Sequence, residues 1–246
     1  MRVPLRASAT PEWRQWTAVY YPTAVSRRST AIDVILYLHG HRTSIPGARR
    51  SIWAYLKHKC WPLREHLEAT GKAAVLVAPT LGPKSEPGTL LDAGGLDRYL
   101  QRVLAVSAPY WQGGTAPAIR HLILAGHSGA GQPMRVLANS RNRAAELVKE
   151  VWGFDCTYSA RQDADANEWS SWAQRHPASR LCIYFVPRAP TQDQALKLKG
   201  RASRLNLSNV SVVGSGARPR DGIHQHFWVP IEHWRDLIVA SPYLRR

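Results

Sequence analysis

A chain of 246 residues, 44% of them hydrophobic, is long enough to bury the core of one α/β domain, and we expect residues 1–246 to form a single domain. Its apolar runs are too short to cross a bilayer, and the N-terminal residues lack the apolar core of a signal peptide. The 33 Lys and Arg against 17 Asp and Glu give a formal charge of +16. This charge favours weak binding to an anionic partner such as nucleic acid or cell-wall polymer, although scattered basic residues equally fit a compositional bias.

The cysteines predict the redox environment of the chain. Cys60, Cys156 and Cys182 are odd in number and widely spaced, which is typical of free thiols rather than a disulfide framework. The sequence therefore predicts a reducing compartment and a cytoplasmic location.

Taken in chain order, the hydrophobic patterns alternate between strands and helices. The predicted strands cover residues 17–21, 32–38, 73–78, 122–125, 151–154, 181–186 and 210–213. The predicted helices cover 51–58, 62–70, 96–104, 134–149, 164–175 and a last segment that begins at Pro230. Residues 80–95 hold four Gly and two Pro, which predicts a rim loop over a pocket. This alternation predicts an α/β fold with a mostly parallel central sheet between helices.

A serine between small residues marks the junction of the fourth predicted strand and the next helix. Gly126 and Ala130 stand two residues before and after Ser128, so a tight turn can expose the serine hydroxyl. The glycine spacing also resembles a phosphate-binding loop, but Gln132 and Pro133 replace the Lys and Ser or Thr of that motif. A glycine-rich turn without chemistry remains the alternative to a nucleophile.

The second predicted strand ends in another tight turn, His39-Gly40-His41. Loops at the carboxyl ends of parallel strands are where open sheets bind their ligands. We therefore expect His39, Gly40 and His127, which directly precedes the serine, to be binding residues.

These motifs together resemble the α/β-hydrolase fold, from about Ile32 to the C-terminal helix. The resemblance implies that Ser128 is the nucleophile of an acyl-transfer reaction. It also implies an oxyanion hole formed by the backbone amides of Gly129 and His41. Neither a metal nor an organic cofactor is implied.

Two histidines compete for the role of catalytic base. The segment 222–230 contains His224 and His226, and its His-x-x-Val-Pro pattern resembles the catalytic loop of bacterial hydrolases, which favours His226. His224 stays open as the alternative. The His-x-His spacing also suggests zinc, but the sequence holds no matching carboxylate cluster or HExxH motif.

Two aspartates compete for the role of the acid. Asp155 ends a strand in a stretch resembling bacterial family members that carry Leu-Asp-x-x-Tyr, and it is the preferred candidate. Asp193 is the alternative, although residues 191–194 resemble a capping box in which Thr191 caps a helix.

The predicted function is that of a serine hydrolase that cleaves an ester, thioester or amide through Ser128, His226 and Asp155. The alternative is a non-catalytic module on the same fold that binds an anionic polymer through its basic surface.

Overall fold

The computed structural model describes residues 2–4, 16–41, 52, 62–158, 163–220 and 222–245. Within these residues, eight strands form one sheet in the order β1-β2-β4-β3-β5-β6-β7-β8. The strands are β1 (Arg2–Pro4), β2 (Trp16–Tyr20), β3 (Ala31–Leu38), β4 (Ala74–Pro79), β5 (Ala118–His127), β6 (Val148–Phe154), β7 (Arg180–Phe185) and β8 (Val210–Gly214). Strands β3 to β8 are mutually parallel, and the pairs β1–β2 and β2–β4 are antiparallel. The predicted mostly parallel sheet is therefore confirmed.

Seven α-helices connect or flank these strands in the described part of the chain. They are α1 (Leu63–Ala69), α2 (Gly95–Val106), α3 (Gly131–Ala138), α4 (Arg143–Glu146), α5 (Ala164–Arg175), α6 (Gln192–Arg204) and α7 (Val229–Ala240). None of the helices described is both long and apolar enough to pass through a membrane.

Most predicted elements are confirmed, two differ, and one lies outside the described residues. The predicted helix over 134–149 divides into α3 and α4 and stops before residue 148, because Val148 and Lys149 already belong to β6. The predicted loop over 80–95 contains a short 3-10 helix, Gly88–Leu91, whose Leu90 is buried in the core. The predicted helix over 51–58 lies outside the described residues, except for Ile52.

The core lies on both faces of the sheet, which explains the continuous apolar runs of the sequence. Along β3, Val34 and Leu36 belong to one buried cluster, whereas Ile35 and Tyr37 belong to the other. A strand covered on both faces needs apolar residues at every position rather than in alternation.

The strand register brings four carboxyl ends to the same edge of the sheet. Leu38 of β3 pairs with Gly126 of β5, and His127 pairs with Phe154 of β6. Phe154 in turn pairs with Tyr184 of β7. The residues that follow these strands therefore meet in one region, where open parallel sheets bind ligands.

The described cysteines agree with the expected free thiols. Cys156 and Cys182 are both buried and unbonded to another cysteine. Cys60 lies outside the described residues.

Candidate active site

Ser128 stands on a strained turn at the end of β5. Its φ angle is 56°, in the left-handed region that residues other than glycine rarely adopt. The turn continues as a 3-10 helix, Ser128–Ala130, before α3 begins at Gly131. A Cβ atom on Gly131 would lie 1.8 Å from the carbonyl oxygen of Cys156, and one on Gly126 would lie 3.0 Å from Met134 Sδ. The small residues around the serine are thus required by close packing, and the strain is typical of functional turns.

The turn after β3 supports the serine from behind. A Cβ atom on Gly40 would lie 2.6 Å from Ser128 Cβ and 2.9 Å from the carbonyl oxygen of His127. His39 is fully buried, where its Nδ1 donates a hydrogen bond of 2.7 Å to the Gly40 carbonyl and its Nε2 accepts one of 2.9 Å from the Leu81 amide. We expected His39 and Gly40 to bind ligand, but these contacts give them a role in shaping the serine turn.

Asp155 and His226 form a hydrogen-bonded pair. Asp155 follows β6 in the left-handed conformation, with a φ of 47°, and its side chain is buried. Its Oδ2 accepts a hydrogen bond of 2.5 Å from His226 Nδ1. Its Oδ1 accepts bonds from the Val186 amide, at 2.9 Å, and from the Thr191 hydroxyl. Both carboxylate oxygens are therefore held as acceptors, and the carboxylate fixes the orientation of the imidazole ring.

Thr191 does not cap α6, so the predicted capping box is wrong. Thr191 has helical backbone angles and makes no capping bond through its side chain, because its hydroxyl is bonded to Asp155 instead. Asp193 points to the surface of α6, where its Oδ2 lies 2.8 Å from Lys197 Nζ and its side chain is 66% exposed. Of the two candidate acids, Asp155 is the one in contact with His226.

Two further histidines hold the segment that carries His226. His224 is exposed, and its Nδ1 accepts a hydrogen bond of 3.2 Å from the His226 amide at the start of a 3-10 turn. His127 is buried below, where its Nε2 donates a bond of 3.0 Å to the His226 carbonyl. Burial and the nearby His226 hold the pKa of His127 well below its usual value, so His127 is a neutral donor. Its described contact is with the segment that carries His226, and a role of His127 in binding ligand stays a prediction.

A cavity of about 690 Å³ opens beside Ser128. Its described lining consists of His41, Lys84, Ser128, Gly129, Gln132, Arg135, Val136, Cys156, Tyr158, Ala164, Asp165 and Glu168. The predicted oxyanion residues are adjacent there, because a Cβ atom on Gly129 would lie only 2.3 Å from His41 Nε2. Lys84 brings the 80–95 segment to the cavity, and the role of that segment as a rim stays a prediction.

Tyr158 also reaches the serine, and its sequence context alone indicated no role for it. Its ring lies 6.4 Å from the His226 ring, edge to face. Burial raises the pKa of Tyr158, and a hydrogen bond with Ser128 partly opposes that rise. The phenol is therefore neutral at physiological pH. Among the described side chains, no three of His, Cys, Asp or Glu converge as a metal-binding group.

The comparisons with known proteins agree with this architecture. No family model and no curated protein sequence matches the chain. Solved structures do match it. They include the fluorophosphonate-binding serine hydrolase F of Staphylococcus aureus, at 10% identity over 98% of this chain and 97% of that one, with a TM-score of 0.60. A ferulic acid esterase matches at 14% identity over 89% of each chain, with a TM-score of 0.59. The S-formylglutathione hydrolase FrmB of S. aureus matches at 10% identity over 97% of each chain, with a TM-score of 0.57.

The chain therefore has the α/β-hydrolase fold, and the resemblance stated from the sequence is confirmed at that level. Its structural neighbours include serine hydrolases and esterases. At these identities the likeness defines the fold, and the chemistry has to be argued from the site.

Proposed function

We propose that the protein is a serine hydrolase that cleaves esters, with Ser128 as nucleophile, His226 as base and Asp155 as the acid of the triad. The observation that carries this proposal is the 2.5 Å hydrogen bond between Asp155 and His226. His226 is held against His127, the residue directly before the serine of the strained strand-to-helix turn, through a 3.0 Å bond to the His226 carbonyl. An isolated serine turn is a common motif, whereas a buried carboxylate bonded to a histidine next to it has the composition of a catalytic triad.

The reaction follows from the direction of that hydrogen bond. Because Nδ1 of His226 donates to Asp155, the neutral ring leaves Nε2 as an acceptor for the Ser128 proton. The serine oxygen then bonds to the substrate carbonyl carbon, and the amides of Gly129 and His41 stabilise the resulting oxyanion.

The tetrahedral intermediate collapses when its bond to the leaving oxygen breaks, and that oxygen receives the proton held by His226. The products of this half-reaction are an alcohol and an acyl-enzyme on Ser128. A water molecule, deprotonated by the same histidine, then bonds to the acyl carbon. The bond from that carbon to the Ser128 oxygen breaks, the serine oxygen takes the proton back from His226, and the acid is released. Asp155 stabilises the imidazolium that forms in each half.

Esters are the preferred substrates within the broader set of esters, thioesters and amides. Two observations support this preference. The neighbouring structures include proteins named as esterases, which favours esters over thioesters. Esters also have better leaving groups than amides, so they require less assistance from the site than amides do.

The direct test is hydrolysis of p-nitrophenyl acetate by the wild-type protein and by Ser128→Ala. We expect the variant to lose about 10⁴-fold or more in turnover, because the nucleophile is absent. Ser203→Ala, at an exposed serine on α6, is the matched control and should keep wild-type turnover. Equal turnover in wild type and Ser128→Ala would contradict the proposed function.

A further inference from the structure

The cavity beside Ser128 has a charged lining, although the nucleophile itself needs none of these charges. Arg135 is mostly buried, with its side chain 11% exposed, and it is ion-paired with the buried Asp165. Arg135 Nε also lies 3.1 Å from Glu168 Oε2, and Glu168 remains 47% exposed. Lys84 contributes a second cation from the 80–95 segment. These groups form what we call the ionic wall: Lys84, Arg135, Asp165 and Glu168.

The ionic wall is electrically balanced, in contrast to the protein as a whole. Two basic and two acidic side chains give no net charge, whereas the full chain carries +16. An anionic ligand would meet the carboxylates of Asp165 and Glu168, and a cationic one would meet Lys84 and Arg135. Among the described lining residues, the basic character of the chain is thus not repeated, and a charged substrate gains no net attraction from the ionic wall.

A long apolar acyl chain would contact the charged groups of the ionic wall as well as the apolar part of the lining. The described apolar surface consists of small or partly polar groups, namely Val136, Ala164, Cys156 and the ring of Tyr158. A hydrocarbon chain would remove water from the ionic wall and return no hydrogen bonds, which is unfavourable for charged groups.

Hydroxyl groups can form hydrogen bonds with the charged side chains of the ionic wall while carrying no charge themselves. Each hydroxyl donates one hydrogen bond and accepts others, so neighbouring hydroxyls can donate to Glu168 and accept from Lys84. Gln132 adds an amide with both functions, and Tyr158, with 45% of its surface exposed, offers an aromatic face to a saturated ring.

We propose that the substrate is a short acyl ester of a polyhydroxylated compound, a sugar or polyol whose hydroxyls are bound by the ionic wall. This proposal rests on the proposed function, because it concerns the part of the substrate that lies beside Ser128.

Two acetates that differ only in their hydroxyl groups test the proposal. We compare 6-O-acetylglucose with cyclohexylmethyl acetate, because both attach a primary acetate to a six-membered ring. The wild-type protein should favour the sugar ester in kcat/KM by at least about tenfold, since two or more hydroxyl hydrogen bonds supply that difference.

Glu168→Ala should reduce this preference by at least about fivefold, because a carboxylate acceptor for the sugar hydroxyls is lost. Glu146→Ala, at an exposed glutamate of α4 outside the cavity lining, is the matched control and should keep the wild-type ratio. If Glu168→Ala fails to fold, Lys84→Ala makes the same test from another segment, because that side chain is exposed.

The outcomes separate this proposal from the proposed function. Ser128-dependent hydrolysis of p-nitrophenyl acetate without a preference for the sugar ester overturns the substrate proposal alone. The same follows if Glu168→Ala and Lys84→Ala both keep the wild-type ratio. If p-nitrophenyl acetate is not hydrolysed in a Ser128-dependent way, the proposed function fails, and the substrate proposal fails with it.

Discussion

The Asp155→Asn substitution separates the two candidate acids more sharply than any other change. An asparagine at this position keeps Oδ1 as an acceptor for the Val186 amide and the Thr191 hydroxyl. Its amide nitrogen, however, replaces the oxygen that now lies 2.5 Å from His226 Nδ1. Because an amide nitrogen only donates, it would hold His226 as the tautomer protonated on Nε2, which cannot accept the serine proton.

The size of the effect follows from this change of tautomer. In a serine hydrolase whose aspartate is replaced by asparagine, turnover falls by about 10⁴-fold, which corresponds to about 5.5 kcal/mol in the activation free energy. The loss of folding stability should be smaller, about 1–3 kcal/mol, because two of the three hydrogen bonds at residue 155 persist. The variant should therefore be folded and inactive.

The assay compares turnover of p-nitrophenyl acetate in Asp155→Asn and Asp193→Asn, with thermal unfolding of both as the test of folding. Asp193→Asn is the matched control, because it removes an exposed carboxylate that pairs with Lys197 on α6. Such a surface pair contributes about 1 kcal/mol or less, and its loss should leave turnover within about twofold of wild type. A folded Asp155→Asn variant with normal turnover would refute the assignment, and inactivity of Asp193→Asn would move the acid to that residue.

Three further predictions concern the residues around the serine. His226→Ala should lower turnover about as much as Ser128→Ala, whereas His224→Ala should be milder; the reverse order in a p-nitrophenyl acetate assay would exchange their roles. The pKa of His127 is depressed in the folded state, whereas in the unfolded chain it has the ordinary histidine value of 6.5. Below pH 6.5 the unfolded chain therefore binds more protons than the folded one, and the free energy of unfolding falls as the pH drops through 6.5. His127→Gln should therefore show a shallower decline in unfolding free energy from pH 7.5 to 5, and an unchanged decline would contradict the assigned protonation state. Gly40→Ala should lose about 1–3 kcal/mol of stability and much of the turnover, because its Cβ would lie 2.6 Å from Ser128 Cβ; wild-type melting and turnover would show that the close contact is not required.

The sheet could be predicted from the sequence because most of its buried strands contain a continuous apolar run of four or more residues. The run from Ile32 to Leu38 lies within β3. The division of the helical region after Ser128 was less predictable. Helix α3 ends at Ala138, and the side chains of Asn139 and Ser140 donate hydrogen bonds to carbonyl groups of its last turn. Val148, predicted to be helical, instead begins β6 and pairs with β5 in the sheet. Such tertiary pairing overrides local helix propensity.

The candidate site could be predicted only in part, because its contacts join distant segments. Ser128, Asp155 and His226 each carry a local signal, and their catalytic roles stay predictions. Thr191 was predicted incorrectly, because its position just before a helix favours a helix cap. Its hydroxyl instead donates a hydrogen bond to Asp155, which lies 36 positions earlier in the chain. Nothing local in the sequence indicates that Tyr158 contacts Ser128, because that contact depends on how the segment after β6 crosses the serine turn.

The central claim is that Ser128 is an activated nucleophile, and covalent labelling with a fluorophosphonate tests it most directly. The purified protein is treated with the probe, its intact mass is measured, and the modified peptide is identified after proteolysis. We predict one adduct per chain, located on Ser128, with labelling strongly slowed in His226→Ala and abolished in Ser128→Ala. An unmodified wild-type protein, or an adduct that persists in Ser128→Ala, would contradict the claim.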